Sequence, residues 1–470
     1  MKKFLSIILF LILSLNSNIK SINVITNNAI SKQEKTYIKK RKSITNQAIK
    51  DIIGSKIKNL KLPKISLCFS GGGYRSMISC LGFLNAADKN NLLDASTYIS
   101  TLSGSTWLMI PLLIRNIIPH FYKKILETEV NHNFFNPETL DIKTIVKYLK
   151  KKKNIQLIDI WGSVLADRLL GNIENCENLS FKQIRKNLSK KNYYPFPLFS
   201  CVIANSRDPK TDLPYTWLEV NPFQTFSKEL GGSIQTKYFG SIFKNGKLKE
   251  KFSEKTAGVF MGIFGCPFCL SGGDIFNFAL EMLANKLKIT NYFFLDWFEK
   301  KFEILGLYKK RFCPAKIPNY SYNLKQSKLR KTKTLQLIDG GFSFNLPVVP
   351  LFRRKTDIII ICDASSDSCN INYPELRLVS NYAKKHHNIC LPNIEKPYKK
   401  FDNLYIFFDE YNSDVPMIIY FTNPISDPTL KLKYDPEEFD YLHDTMKKIV
   451  ENNHENIINA ITLKTKQLNQ

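Results

Sequence analysis

The chain has 470 residues, of which 44% are hydrophobic, 12% aromatic and 23% charged. That balance excludes a disordered tail, a coiled coil and a collagen, and the length admits either about three domains or one large α/β domain. Lys and Arg number 68 against 41 Asp and Glu, a net +27. Such an excess suits a membrane surface, a nucleic acid or a phosphate-bearing substrate, but a Lys-, Asn- and Ile-rich coding bias produces it equally well, so charge alone selects none of these.

Lys2 and Lys3 precede an apolar run from Phe4 to Leu15, and Asn16, Ser17, Asn18 and Lys20 follow it. The run is shorter than the roughly 20 residues needed to span a bilayer. With its basic start it reads as a secretory signal peptide over residues 1–21, with Ser17 and Ser21 as candidate cleavage positions and an uncleaved anchor as the alternative. The expected location is therefore secreted or extracytoplasmic. Residues 22–60 are polar and basic and read as a linker, in which Lys39-Lys40-Arg41-Lys42 forms a solvated or membrane-facing patch.

From Lys64 the pattern changes. Ile65–Phe69 reads as a strand that runs into Ser70-Gly-Gly-Gly73, and Met77, Leu81, Leu84 and Ala87 then follow helical spacing on one face. A second strand, Thr97 to Leu102, meets Ser103-Gly104-Ser105 and an apolar helix with Pro111 as an expected kink. The middle of the chain mixes helical segments with polar loops and carries lysine clusters at 150–153 and 325–333. Leu335–Ile338 leads into Asp339-Gly-Gly341, and Asp357–Cys362 reads as a buried strand. The C-terminal helix has Asp435 as its cap, Pro436 in its first turn, Glu438 three residues on, and an apolar stripe of Phe439, Leu442, Met446, Ile449 and Val450. Alternating strands and helices indicate a three-layer α/β domain spanning 61–465. Six of the ten cysteines lie in apolar runs, among them Cys68, Cys80 and Cys362, where they pack as small hydrophobes. Cys266-Pro-Phe-Cys269 has no second pair or histidine nearby, so no zinc is expected.

Three short strings carry chemistry. Glycines at a strand-to-helix junction let backbone amides converge on an anion at the positive end of a helix. Neither nucleotide-binding glycine pattern is present, so the loop suits an oxyanion hole, or a phosphate that Arg75 could grip with both arms. Ser103 has the strand–turn–helix setting of a nucleophile elbow. A serine needs a base. The six histidines are His120, His132, His386, His387, His443 and His454, and none sits in a strand-end motif. A Ser–Asp–His arrangement stays open on spacing alone, but Asp339, at a strand end, is the better candidate.

Ser70-Gly-Gly-Gly-Tyr-Arg-Ser-Met77, Leu102-Ser-Gly-Ser-Thr-Trp107 and Asp339-Gly-Gly-Phe-Ser-Phe-Asn-Leu-Pro347 together resemble the catalytic domain of cytosolic phospholipase A2, a family grouped with fungal phospholipase B and, more distantly, patatin. Pro197–Cys201, Thr216–Pro222, Phe239–Phe243 and Leu442–Met446 extend the resemblance over roughly 64–462. It implies an α/β/α fold with a central mixed sheet, Ser103 as nucleophile and Asp339 as base, Gly72 and Gly73 as the oxyanion hole, and Arg75 on the lipid phosphate. It further implies hydrolysis of the sn-2 ester of glycerophospholipids, with lysophospholipase activity, through an acyl-serine. No metal or cofactor enters that chemistry, and the partner is a phospholipid membrane surface.

Two departures stand out. The family's G-x-S-x-S begins with glycine where this chain has Thr101, a β-branched residue expected to strain the elbow. That leaves open a membrane-binding or host-interaction protein of the same fold with weak or lost catalysis. Only some 60 residues precede the catalytic segment, too few for the family's calcium-binding membrane module, so docking is expected to be calcium-independent. A lid is expected near 271–333, where aromatics (Phe276, Tyr292, Phe293, Phe294, Trp297) mix with lysines. No nucleic-acid module is recognisable.

Overall fold

The computed structural model describes residues 22–54, 60–132, 134, 141, 145–146, 149, 155–190, 193–206, 215–266, 315–366, 368 and 372–470. The signal-like residues 1–21 and the larger part of the expected lid lie outside these.

A twelve-stranded mixed sheet organises the chain. Its main path runs Lys399–Phe401 (β12), Leu404–Phe407 (β13), Met417–Thr422 (β14), Ile358–Asp363 (β11), Ile65–Phe69 (β1), Ser96–Leu102 (β2), Phe196–Ile203 (β3), Thr216–Val220 (β4), Gln224–Ser227 (β5) and Gly232–Gln235 (β6). Off this path, Thr334–Asp339 (β10) pairs with both β3 and Ala315–Pro318 (β9). Ile242–Lys244 (β7) and Lys247–Glu250 (β8) form a separate hairpin. The five central strands, β14 to β3, are mutually parallel, and the flanking pairs are antiparallel. Every residue of β1, β2, β3, β11 and β14 is buried, which is why the isoleucine run at 358–361 carries no polar alternation.

Helix α1 (Lys32–Ile53) begins at Ser31, whose hydroxyl accepts the Glu34 amide, and ends at Gly54 in the left-handed conformation. Helix α2 (Gly73–Lys89) follows the glycine loop. It was expected to bury one face, but Gly73 to Ala87 are all buried, because α2 packs through Phe83 on Phe69 and Phe421 of the sheet on one side and against helix α3 (Pro436–Asn452), which a last helix at His454–Gln467 follows, on the other. The two helices approach so closely at Gly82 that a Cβ there would lie 2.1 Å from the His443 carbonyl oxygen. The capping box of α3, Asp435 with Glu438, forms as the spacing requires, with Pro436 in the first turn. The helix Gly104–Arg115 runs through Pro111 to its C-terminus.

The basic stretch read as a linker is instead a built part of the fold. Within α1, Tyr37, Arg41 and Ile49 are buried, and Glu34 is fully so. Arg41 donates to the carbonyls of Ser96, Tyr193 and Leu93 at 3.0, 3.0 and 2.8 Å, and so satisfies chain ends at the entries to β2 and β3. Glu34 receives Arg354 at 2.8 and 2.9 Å, and Arg354 also reaches Glu219 of β4 at 2.9 and 2.7 Å. Burial pushes the Glu219 carboxyl up, but Arg354 and Arg353 outweigh it and hold the group below the ordinary carboxylate value. A four-residue heptad-like spacing of Glu34, Tyr37, Arg41 and Thr45 marks this inner face once the burial is known, but the surrounding lysines hide it in the sequence. Residues 315–333, the described end of the expected lid, are a strand and consecutive turns packed on the core through Tyr320 and Asn319. Among the described residues, no helix is long and apolar enough to cross a membrane.

Removing Arg354 leaves two carboxylates buried without their main counter-ion, a loss of about 3–5 kcal/mol. Arg354→Met should therefore lower the thermal midpoint sharply, whereas replacing the exposed Lys39 should leave it unchanged; circular dichroism melts compare the two.

Candidate active site

The site is built where two strands end against one neighbour. Along β3, Leu102 of β2 registers with Ser200, and Asp339 of β10 registers with Cys201. β2 and β10 therefore arrive from opposite directions at adjacent positions on the same strand edge. The residues that follow or close them, Ser103 and Asp339, are brought side by side.

Ser103 has φ 52° and ψ −122°, a conformation an L-residue rarely adopts. It sits at the N-terminal end of helix Gly104–Arg115 and is 8% exposed. The turn is clamped by Ser105, whose Oγ accepts the Leu102 amide at 3.0 Å and donates to the Phe69 carbonyl at 2.9 Å. Gly104 is required by contact: a Cβ there would lie 2.0 Å from the Gly73 carbonyl oxygen. Thr101, expected to strain the elbow, lies inside β2 in register with Phe69 and Phe199, and its hydroxyl meets that of Thr106 at 2.9 Å. Close packing at this turn is made by Gly104 and Gly73, and the β-branched residue is accommodated within the pleat.

The glycine loop lies over the elbow. Gly72 has φ 136° and Gly73 φ 60°, and a Cβ on Gly73 would come within 2.4 Å of the Thr429 carbonyl oxygen. The Gly71 amide is already used on the Asn345 carbonyl at 3.3 Å. The Gly72 and Gly73 amides have no acceptor among the described residues and stand at the N-terminus of α2, where the helix dipole favours negative charge.

Asp339 accepts the Gly341 amide at 2.9 Å and shares the cleft wall with Ser103. Burial pushes its carboxyl up to about 6, against the pull of the neighbouring Ser103 hydroxyl and the Gly341 amide in the other direction. The same desolvated charge, after burial itself, raises the neighbouring Cys201 thiol.

These residues share a cleft of about 370 Å³, whose wall includes Gly72, Gly73, Arg75, Ser103 and Asp339. Trp107 and Trp161 line it as well, with their indole N–H groups donating to Met261 O at 2.9 Å and Gly265 O at 3.2 Å. All five residues singled out in the sequence thus meet in one place, but Arg75 does so differently from the expectation. It is 1% exposed, and its Nε donates to Ala364 O at 2.7 Å, its Nη1 to Asp427 O and its Nη2 to Thr429 Oγ1 at 3.3 Å. The fork expected to grip a phosphate is engaged in holding loops 364 and 427–429 around the glycines. Among the described residues, no histidine lines the cleft. His443 is bound to Asn85 at 2.7 Å and to Asp444 at 2.6 Å between α2 and α3.

Three residues of the site were not identified from the sequence. Asn345 donates from Nδ2 to Gly71 O at 3.2 Å and to Ser365 Oγ at 2.6 Å, and its amide donates to the Glu375 carboxylate. It ties the glycine loop to the turn that carries Asp339. Asn345 lay within a string already singled out, but no spacing rule distinguishes a clamp from an ordinary turn asparagine. Glu375 and Ser365 come from elements far along the chain, and no local pattern marks them. Among the described residues, no three His, Cys, Asp or Glu side chains gather as a metal site; Cys266 lines the cleft, and Cys269 lies outside the described residues.

The fold is that of an α/β hydrolase-class domain with a mixed central sheet, and comparison with known proteins gives the family. Residues 65–397 match the lysophospholipase catalytic domain, and the chain belongs to that family. It is 27% identical to the lysophospholipase of Arthroderma benhamiae over 403 residues, which cover 72% of this chain and 60% of that protein. It is 28% identical to cytosolic phospholipase A2 gamma of Mus musculus, covering 54% of this chain and 42% of that protein. Lysophospholipase 1 of Candida albicans is 27% identical, with 87% of this chain and 76% of that protein covered. The chain thus spans about half the length of the first two relatives. The structure of human GIVD cytosolic phospholipase A2 superposes with a TM-score of 0.76 at 18% identity, covering 95% of this chain and 66% of that one, so the two share a fold.

Gly104→Ala should displace the elbow or the glycine loop, because both atoms in conflict are backbone-fixed. The expected cost is about 1–3 kcal/mol or more. Gly54→Ala is the control for backbone strain without crowding, since no atom lies within 4 Å of its Cβ position. Thermal melts of the two variants separate steric conflict from the general cost of a positive φ.

Proposed function

We propose that this chain hydrolyses acyl esters of phospholipids and lysophospholipids, the sn-2 ester included, through an acyl-serine intermediate on a Ser103–Asp339 dyad that needs no calcium. The observation that carries this reading is the pairing of a conformationally strained serine hydroxyl with a carboxylate lifted to about 6, beneath two uncommitted amides. The names of the relatives in its family point to the same substrates.

Asp339 takes the Ser103 proton as Oγ attacks the ester carbonyl carbon. The oxyanion forms against the Gly72 and Gly73 amides, where each donor is worth about 3 kcal/mol. Collapse expels the lysolipid alkoxide, which leaves with the proton from Asp339. Water then attacks the acyl-serine while Asp339 takes its proton. The second collapse frees the fatty acid and returns the proton to Ser103. Arg75 contributes its fixed positive charge to the cleft wall, while its hydrogen bonds hold the loops in place. Phe342 and Leu430, 42% and 60% exposed, stand at the mouth of the same cleft and supply an apolar rim for a lipid surface. The signal-like start supports a surface outside the cytoplasm as the one it meets, and the net positive charge favours anionic lipid.

Fatty-acid release from labelled phosphatidylcholine vesicles and from lysophosphatidylcholine micelles, with EDTA present, tests the reading. Wild type should be active on both, and Ser103→Ala and Asp339→Asn should each lose at least about three orders of magnitude. Activity abolished by EDTA would overturn calcium independence, and full activity in either variant would overturn the dyad. Vesicle binding without fatty-acid release by the wild type would instead identify a membrane-binding protein.

The rate should also follow the charge on Asp339. Only the carboxylate can accept the serine proton, so kcat/KM should be flat above neutral pH and fall about tenfold per unit below a pH near 6. A profile on a soluble ester measures that limb; an acid limb near the ordinary carboxylate value of about 4 would show that Asp339 is not the desolvated base.

A further inference from the structure

Asp363 is a fully buried carboxyl group that the acyl transfer itself does not use. It ends β11, and the chain continues through Ala364 to Ser365, which lines the catalytic cleft. β11 and β1 are parallel neighbours with Cys362 in register with Phe69, and the Ser70 amide donates to the Cys362 carbonyl at 3.1 Å. Residues 363–365 therefore run beside the glycine loop where both segments leave the sheet.

Two hydrogen-bond chains lead from this segment to one peptide group. In the first, the Ala364 amide donates to Ser70 Oγ at 2.7 Å, and Ser70 Oγ donates to the Gly71 carbonyl at 3.1 Å. The second starts at Asp363. Its Oδ1 accepts the Ser365 amide at 2.9 Å and the Ser365 hydroxyl at 2.5 Å, and its Oδ2 accepts the Tyr420 hydroxyl. A Ser365 hydroxyl that gives its proton to Asp363 can only accept from Asn345, and Asn345 Nδ2 donates to it at 2.6 Å. That sets which way the asparagine amide is turned. The second Nδ2 hydrogen then goes to the Gly71 carbonyl, at 3.2 Å. The Asn345 main-chain carbonyl accepts the Gly71 amide at 3.3 Å, so the peptide groups on both sides of Gly71 are held.

The Gly71 carbonyl and the Gly72 N–H belong to the same peptide group. Among the described residues no peptide bond is cis, and in a planar trans peptide the two point in opposite directions. This plane lies between two glycines, so the backbone itself does little to resist its rotation. Its direction is set by what grips Gly71 O. Ser70 and Asn345 hold that oxygen, and the Gly72 N–H points the other way, with Gly72 in the cleft wall.

We propose that Asp363 is a positioning residue for the oxyanion hole: through Ser365 and Asn345 it sets the direction of the Gly72 N–H. The inference rests on the reading of Ser103 as nucleophile and Gly72 as oxyanion donor. A donor turned off its line is felt when the oxyanion forms. It lowers kcat and leaves KM and the protonation of Asp339 unchanged.

The test measures kcat and KM of the full chain on a soluble p-nitrophenyl ester over a pH series. End-point titration with a fluorophosphonate counts the working sites, so that a partly unfolded variant is not read as a slow one. Ser365→Ala should lower kcat roughly ten- to a hundredfold, less than the outright loss of a donor, because Ser70 still holds Gly71 O. KM should change by less than about twofold, and the acid limb should stay near 6. Asp363→Asn should give the same pattern, and the double variant should be no slower than the slower single one, because both residues lie on one chain. Ser365→Ala decides by itself where Asp363→Asn does not fold. With an active wild type, an unchanged kcat in Ser365→Ala, a loss carried by KM, a displaced acid limb or multiplied losses in the double variant would each overturn the inference alone. A wild type that neither hydrolyses the ester nor reacts with the fluorophosphonate would overturn the catalytic reading and this inference with it.

Discussion

The site depends on one edge of β3 being shared by two strands that never meet in sequence. β2 occupies the edge up to Ser200, and β10 takes it over from Cys201, running the other way. A strand edge has a fixed spacing between ladder positions, so this handover fixes the distance between the elbow and the carboxylate within the tolerance of backbone hydrogen bonds. Neither loop has to find the other. Ser105, Gly104 and Asn345 then refine a geometry that the sheet has already imposed.

That placement carries an electrostatic consequence. The position where β2 and β10 meet is interior to the sheet, so a carboxylate there loses water and becomes more basic. The same burial that brings Asp339 beside the serine makes its carboxyl more basic than that of a surface aspartate. The cost is a strained Ser103 backbone and an incompletely solvated acid, which the surrounding sheet and the ion-paired helix α1 must hold in place. Function and stability draw here on opposite ends of one scaffold. The Glu34–Arg354–Glu219 cluster anchors the far side while the cleft side stores the strain.

The parallel core was legible because its strands are apolar throughout, and α3 was legible from its cap and stripe. The catalytic strings were legible because glycine, serine and aspartate at strand ends have few structural reasons to recur in that order. Other features were not. β3 and β14 carry the sheet between the motifs but lack turn signals that would set them apart from buried helix segments. α1 looked like a linker because five or more lysines face solvent around a single buried arginine, and composition averages over the two faces of a helix. The partners of Arg75 were hidden for a related reason. A sequence shows that an arginine follows a glycine loop but not that the carbonyls of Ala364 and Asp427 reach it first. Asn345 escaped notice because its partners are backbone atoms supplied by distant segments.

The position of β1 in the sheet has a consequence for how the molecule is made. Ile65–Phe69 pairs on one side with β2, the next strand to be synthesised, and on the other with β11, which begins only at Ile358. During synthesis the first strand therefore carries one satisfied edge and one open edge while most of the chain emerges. Closure of the sheet is a late, long-range event, set by entropy of chain search rather than by local propensity. A nascent chain of this design exposes an apolar strand edge of backbone donors and acceptors until its second half arrives, which is the interval in which aggregation competes with folding.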